Sequence, residues 1–139
     1  MGPRRRGLGD CATLIESVAM ACSIELALRI LPFAKLLAWL DRLTPGRAKR
    51  SAVTLERLGR FASVACGLLP VRSTCLRESL VLYGLLRRSG AVPKLCVGVR
   101  KNGAELAAHA WIECDGIAPA DGTASFGELR AVQTTDRRR

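Results

Sequence analysis

The hydrophobic positions in the first half of the chain recur with the period of an α-helix. In the stretch 11–40 they predict a helix with one apolar line at intervals of four residues, namely Leu14, Val18, Cys22, Leu26 and Ile30. Pro32 is expected to break or restart this helix. A turn at 44–47 (TPGR) and another helix over 51–69 follow. The pattern therefore predicts a helical region over 11–69.

The apolar stretch 11–40 raises the question of a transmembrane helix. No uncharged run approaches the roughly 18 to 20 residues of a membrane-spanning helix, because the stretch is interrupted by Glu16, Glu25, Arg29 and Lys35. We therefore predict no membrane span. Two interpretations stay open because apolar residues lie on both sides of the stretch: a core-facing helical layer, and a docking surface for a partner protein or a membrane face.

A different pattern begins after Pro70. Ser73 or Thr74 can cap a helix that Gly90 closes. The segments KLCVGVR and ELAAHAWIE then alternate as half-buried strands do, with a turn at Asn102–Gly103 between them. The predicted fold class is α+β, with N-terminal helices followed by a helix packed on a small antiparallel sheet.

Length and composition indicate one globular domain over 1–139. We divide it into the helical region 11–69, a core over 70–123 and a basic C-terminal tail over 124–139. The net charge of +10 is partly concentrated at the two ends of the chain. We predict no nucleic-acid partner, because aromatic interleaving, zinc-finger spacing and a helix-turn-helix signature are all missing.

Six cysteines are spread along the chain without a CxxC pair or a compact disulfide spacing. This distribution favours reduced thiols in the cytoplasm. His109 is the only histidine, so we predict neither a metal site nor a cofactor. Most of the thiols are expected to be small core residues.

Cys75 differs from the other cysteines because it begins the predicted helix. At a helix N terminus, free backbone N–H groups and the helix dipole favour a thiolate and hence a nucleophile. Arg72 and Arg77 act in the same direction, whereas Glu78 opposes them. Taken alone, a cysteine in this position is more often a buried cap residue than a nucleophile.

His109 is the available partner for such a nucleophile. In the strand 105–113, alternation puts it on one face with Ala107, Trp111 and Glu113. This face is mixed in character and suits a cleft. The other face, which we expect to be the core face, carries Leu106, Ala108, Ala110 and Ile112.

Asp121 is the candidate for the third member of a catalytic triad with Cys75 and His109. If residues 114–116 form a three-residue hairpin loop with a left-handed glycine, His109 lies directly opposite Asp121, with Cβ atoms about 5 Å apart. A two-residue loop would put Asp121 on the wrong face. Two alternatives remain. Asp121 can be a turn residue before Gly122, and Glu113, which shares the face of His109, competes with it but suits a surface role or a secondary contact.

The order Cys75, His109, Asp121 is the arrangement of papain-like and transglutaminase-like enzymes. The segments CLRESLVLYGLLRRSG, KLCVGVRKNG and LAAHAWIECDG followed by APAD resemble the stand-alone leader peptidases of lasso-peptide biosynthesis, which have a transglutaminase-like core. The resemblance covers 70–123 and implies a catalytic triad of these three residues without a cofactor. The chain departs from the family pattern at Glu78, where an arginine is frequent.

The resemblance implies a cytoplasmic cysteine peptidase that cuts a ribosomally made precursor between leader and core, with the Cys75 backbone N–H as an oxyanion donor. It also implies a separate leader-recognition protein, for which the helices over 11–40 are a candidate docking surface, and a lasso cyclase that takes the product. Two other interpretations stay open. The same triad supports acyl transfer to an amine, and a non-enzymatic basic scaffold or membrane-surface protein would need Cys75 only as a structural cap.

Overall fold

A computed structural model describes residues 7–43, 55–72, 74–114 and 127–132. The described residues form four α-helices and three β-strands, which are α1 (Leu8–Ile30), α2 (Phe33–Asp41), α3 (Leu55–Leu68), α4 (Cys75–Arg88), β1 (Pro93–Asn102), β2 (Glu105–Cys114) and β3 (Gly127–Val132). The predicted α+β fold class is confirmed. Pro32 ends the first helix as predicted and is the N-cap of α2. The predicted turn at 44–47 lies outside the described residues.

The three strands form one antiparallel sheet in the order β2-β1-β3. β1 and β2 are a hairpin whose turn follows Asn102. Gly103 in this turn has a φ of 66°, a conformation that glycine adopts without the steric cost of a Cβ. The turn that the Asn-Gly pair predicted is therefore confirmed.

β3 adds to the predicted architecture, because the sequence pattern predicts no strand beyond residue 123. Gly127–Val132 pairs with β1 on the side away from β2, with a bulge between Val97 and Gly98. Edge strands tolerate charged residues, which explains why GELRAV shows no apolar run. Part of the segment 124–139, predicted as a basic tail, therefore belongs to the sheet.

α4 lies at the centre of the fold and contacts the other three helices and both strands of the hairpin. Gly84 lets α1 and α2 come close to it, because a Cβ at this position would lie 2.7 Å from Met20 Sδ and 3.3 Å from a Leu40 methyl group. The sheet joins the same hydrophobic core through Leu95 and Ile112. One core therefore connects the helical region to the hairpin.

The inner face of α1 differs from the predicted line. Leu26 and Ile30 are 60% and 67% exposed and Cys22 is exposed as well, so of the two interpretations the core-facing one is wrong for these three residues. The buried residues of α1 are instead Thr13, Ser17, Met20, Ala21, Ile24 and Ala27. Most of these are small, and the Thr13 and Ser17 hydroxyls donate to carbonyls four residues earlier at 2.8 and 2.7 Å. The small side chains allow close helix packing, and the satisfied hydroxyls remove the cost of burying them.

By length and composition, α1 could also cross a membrane, since Gly9–Ile30 has a mean hydropathy of 1.6. Core helices of soluble proteins pass the same test. In this fold Glu16 and Glu25 of α1 form ion pairs with Arg88 and Arg77 of α4. α1 is therefore joined to the helical layer by charged contacts as well as by apolar packing.

Candidate active site

Cys75 is the first residue of α4 and is exposed. Thr74, one of the two predicted caps, is the N-cap, and its Oγ1 accepts a hydrogen bond from the Arg77 N–H at 3.3 Å. The first bond of the helix runs from the Glu78 N–H to the Thr74 carbonyl at 3.0 Å. The N–H groups of Cys75 and Leu76 therefore have no acceptor within the helix. A thiol and two backbone donors meet at this helix end, where an oxyanion can be bound.

Arg77 anchors the first turn of α4 to α1. Its guanidinium forms an ion pair with the Glu25 carboxylate, in which Nη2 donates to Oε1 at 3.2 Å and Nε lies 2.8 Å from the buried Oε2. Its Nη1 donates to the Arg72 carbonyl, just before the helix. The side chains of Glu25 and Arg77 are only 12% and 29% exposed, so water screens this ion pair in part. The ion pair therefore fixes both the entry to α4 and the turn that carries Cys75.

His109 lies in the middle of β2, opposite Gly98, and is half-buried. Its ring stacks on the ring of Trp111, with centroids 5.9 Å apart and planes inclined by 20°. The Trp111 indole is itself buried and donates to the Glu113 carboxylate at 3.1 Å. The stack limits the orientations that the imidazole can adopt.

The opposite face of β2 joins the core only in part. Ala110 and Ile112 are buried, as predicted. Leu106 is 73% exposed and Ala108 is exposed as well, so the core-face prediction is wrong for these two residues. The physical reason is that the strand residues in the hydrophobic core lie toward the Cys114 end of β2.

Ser79 joins α4 to β2 beside His109. Its hydroxyl is buried and donates to the Ala110 carbonyl at 3.1 Å. Ser79 follows Cys75 by four residues, and residues at this spacing lie on the same line of a helix. The line of α4 that carries Cys75 therefore faces β2.

α4 and β2 run side by side in the same direction. A short connection leads from Arg88 at the end of α4 to Pro93, which pairs with Cys114 at the end of β2. Ser79 lies about 13 Å back along the helix, and Ala110 lies about 13 Å back along the strand. These equal spans agree with the hydrogen bond between the two residues.

One more helical turn brings Cys75 level with the segment that carries His109, measured along the strand. The turn from Ser79 to Cys75 covers about 6 Å, which equals about two residues of a strand. Two residues back from Ala110 is the segment 108–109. The imidazole projects from the sheet face opposite Ile112, so this comparison gives only the position of Cys75 along the strand direction, at the level of residues 108–109.

Cys66 of α3 shows the contrasting state of a buried thiol. Burial raises the pKa of this thiol from its ordinary value of 9.0 to about 11, and the Glu78 and Glu25 carboxylates also raise it, while Arg77 acts against them. A thiol with such a pKa stays protonated and unreactive at neutral pH. Cys75 is exposed, so unlike the buried Cys66 it is accessible to solvent and to a substrate.

Asp121 lies outside the described residues, together with the predicted return strand 117–121 and most of the bulged loop. The third member of the triad therefore stays a prediction. Glu113, the alternative acid, accepts from Trp111 and lies 4.0 Å from Lys94 Nζ. In the part of the chain that the structure describes, no three or more His, Cys, Asp and Glu side chains are placed to hold a metal ion.

Comparison with protein families matches residues 18–134 to the transglutaminase-like superfamily. The match begins in α1 and extends past β3, so it covers most of the chain. The chain belongs to the transglutaminase-like superfamily. The fold is accordingly that of a transglutaminase-like core, and proteins of this superfamily are generally cysteine proteases or acyltransferases. Neither a curated protein nor a solved structure matches the chain.

Two features of this transglutaminase-like site were not predicted from the sequence. The Glu25–Arg77 pair joins residues 52 positions apart, and nothing in the local pattern indicates it. The sequence does contain a signal for the hydrogen bond from Ser79 to Ala110. Ser79 lies among apolar residues of the predicted helix, four residues after Cys75, and a buried polar side chain needs a hydrogen-bond partner.

Proposed function

We propose that this transglutaminase-like protein is a cysteine peptidase that removes the leader peptide from a ribosomally synthesised lasso-peptide precursor. The observation that carries the proposal is the exposed Cys75 thiol at the N-terminal end of α4, one turn from the Ser79 contact beside His109. Membership of the superfamily supports a thiol enzyme. The sequence segments over 70–123 support the substrate class.

In the proposed reaction, the Cys75 thiolate adds to the carbonyl carbon of the peptide bond between leader and core. The oxyanion that forms accepts hydrogen bonds from the Cys75 and Leu76 N–H groups. His109 as imidazolium gives a proton to the leaving amine, the C–N bond breaks, and a thioester joins the leader to Cys75. His109 then takes a proton from water, which hydrolyses the thioester and releases the leader carboxylate. Asp121 is proposed to orient the imidazole.

Two partners belong to the proposal. A separate leader-recognition protein would hold the leader and raise its local concentration at Cys75. The released core, with its new N-terminal amine, would pass to a lasso cyclase that forms the macrolactam. Both partners are expected from the resemblance alone.

The test is mass spectrometry of a candidate precursor incubated with the protein and with a candidate leader-recognition protein. We expect the wild type to cut one bond at the leader–core junction. Cys75→Ala, His109→Ala and Asp121→Asn should each abolish or strongly reduce the cut. Cys11→Ala is the matched control, because Cys11 is also an exposed thiol but lies on α1, and it should cleave like the wild type.

The products separate the alternatives. A cross-linked product between the leader acyl group and an amine, instead of a free carboxylate, would make the protein an acyltransferase. Cleavage by all variants alike would contradict the triad. Full function of Cys75→Ala, together with an iodoacetamide reaction of Cys75 no faster than that of an ordinary thiol, would favour the non-enzymatic scaffold.

A further inference from the structure

We propose that the outer surface of α1 and α2 binds the surface of an anionic membrane. The inference concerns a surface away from Cys75 and does not depend on the proposed peptidase function. The residues that define this outer apolar face are Ile15, Ala19, Cys22, Leu26 and Ile30 of α1, with Trp39 of α2.

The outer apolar face is a continuous stripe along α1. At about 100° per residue, its five α1 residues fall within an arc of about 80°. Ile15, Leu26 and Ile30 are 70%, 60% and 67% exposed. The arc lies opposite the buried residues of α1, such as Ser17 and Ile24, so it is a second apolar face that the core leaves uncovered. From Ile15 to Ile30 it extends about 22 Å.

α2 widens this face with an aromatic side chain. A groove of about 520 Å³ lies between the two helices, lined by Ile15 and Ala19 on one side and by Trp39 on the other. Trp39 is 37% exposed. A tryptophan beside an apolar helix face is typical of helices that lie in the plane of a membrane interface.

The charges around the face fit an anionic surface. Each of the four acidic residues of α1 and α2 has a partner on α3 or α4. Three pair with arginines, as Asp10–Arg57, Glu16–Arg88 and Glu25–Arg77, and Asp41 accepts a hydrogen bond from the Tyr83 hydroxyl. Arg29 is 65% exposed and also pairs with Glu25 at 3.2 Å, so that two arginines share this carboxylate, and Lys35 is exposed. The five basic side chains of this set outnumber its four carboxylates, so an approaching anionic lipid layer meets a small excess of positive charge.

The occupant that best fits both properties is a lipid surface. The chain carries a net charge of +10, which disfavours a second copy of itself as the partner. A broad apolar stripe with an aromatic edge and exposed cations satisfies the apolar and the electrostatic requirements of interfacial binding at once. α1 would lie flat on the membrane through this face while its inner face stays in the protein core.

The experiment is co-sedimentation of the full chain with vesicles of equal parts phosphatidylcholine and phosphatidylglycerol, and with vesicles of phosphatidylcholine alone. We expect binding to the anionic vesicles, weaker binding at high salt, and little binding to the neutral ones. The double variant Leu26→Asp/Ile30→Asp should lower the partition coefficient at least about tenfold, because it removes apolar contact and adds charge repulsion. Circular dichroism would show that this variant is folded.

The matched control is Val64→Asp/Leu68→Asp on α3, whose side chains are 52% and 64% exposed and which adds the same charge. It should bind the anionic vesicles like the wild type. The proposal is overturned if the wild type does not sediment with the anionic vesicles, or if the two double variants lose binding equally. It is also overturned if Leu26→Asp/Ile30→Asp keeps vesicle binding but no longer binds the leader-recognition protein, because the face would then belong to that partner. Precursor cleavage measured without vesicles tests the peptidase function separately.

Discussion

Replacing Glu25 by Gln tests whether α1 positions the catalytic turn of α4. The change keeps the size of the side chain and one hydrogen-bond acceptor, but removes the charge that holds Arg77 and, through it, the Arg72 carbonyl. Cys75 itself is untouched. Any change in the behaviour of the thiol must then come from a shift of the turn or of the charges around it.

The expected magnitude follows from the burial of the pair. Breaking a fully buried ion pair costs about 3 to 5 kcal/mol, and an exposed pair contributes about 0 to 1 kcal/mol. With side chains 12% and 29% exposed, Glu25 and Arg77 lie between these limits. Because the glutamine keeps one acceptor, we expect Glu25→Gln to lower the free energy of unfolding by about 2 kcal/mol.

Glu16→Gln is the matched control. Glu16 also lies on α1 and pairs with an arginine of α4, Arg88 at 3.0 Å, but this pair is more exposed, at 24% and 49%, and lies at the far end of α4 from Cys75. We expect it to cost about 0.5 kcal/mol. Urea denaturation of both variants would measure the difference.

Leader cleavage and thiol labelling are then compared between Glu25→Gln and Glu16→Gln under conditions in which both variants are folded. Glu25→Gln should lower kcat/KM for leader cleavage about tenfold, because small displacements of a reacting group cost rate steeply, and it should change the rate at which iodoacetamide labels Cys75. Glu16→Gln should change neither. Equal losses of stability in the two variants, with the same labelling rate at Cys75, would refute a positioning role for Glu25.

Three further predictions concern the packing around the site. Ser79→Ala should destabilise the fold by about 1 to 2 kcal/mol in urea denaturation and slow cleavage, because it leaves the buried Ala110 carbonyl without its donor; unchanged stability would contradict the link. Cys66 should resist iodoacetamide in the folded protein at pH 8, and the free energy of unfolding should fall as the pH rises from 9 through about 11, because the unfolded chain loses the thiol proton at a lower pH than the folded protein does. Cys66→Ala should reduce this fall. An unchanged dependence of stability on pH in this variant would argue against the raised pKa. Gly84→Ala should destabilise the fold by about 1 kcal/mol, because an overpacking cost of about 2 kcal/mol outweighs a helix-propensity gain of about 1 kcal/mol. Gly67→Ala is the control and should be neutral or stabilising, because a Cβ at that position meets nothing within 4 Å.

The amino-acid sequence determined those features that depend on short stretches of chain. The break at Pro32, the Thr74 cap, the turn at Gly103 and the placement of Cys75 at a helix start follow from backbone geometry and from hydrogen bonds between near neighbours. Periodicity indicated equally well that His109 lies on a strand. Because these constraints act within a few residues, the local pattern was sufficient.

The tertiary structure decided which face of each element is buried and which distant residues meet. On α1, apolar residues surround the helix, so spacing alone selected Leu26 and Ile30, whereas packing buries the small residues opposite them. Likewise, the Glu25–Arg77 pair and the Ser79 contact with β2 exist only because α4 lies between α1 and the sheet. Which face of a helix is buried depends on how closely it packs against all the neighbouring elements together, and the sequence of that helix alone does not determine this packing.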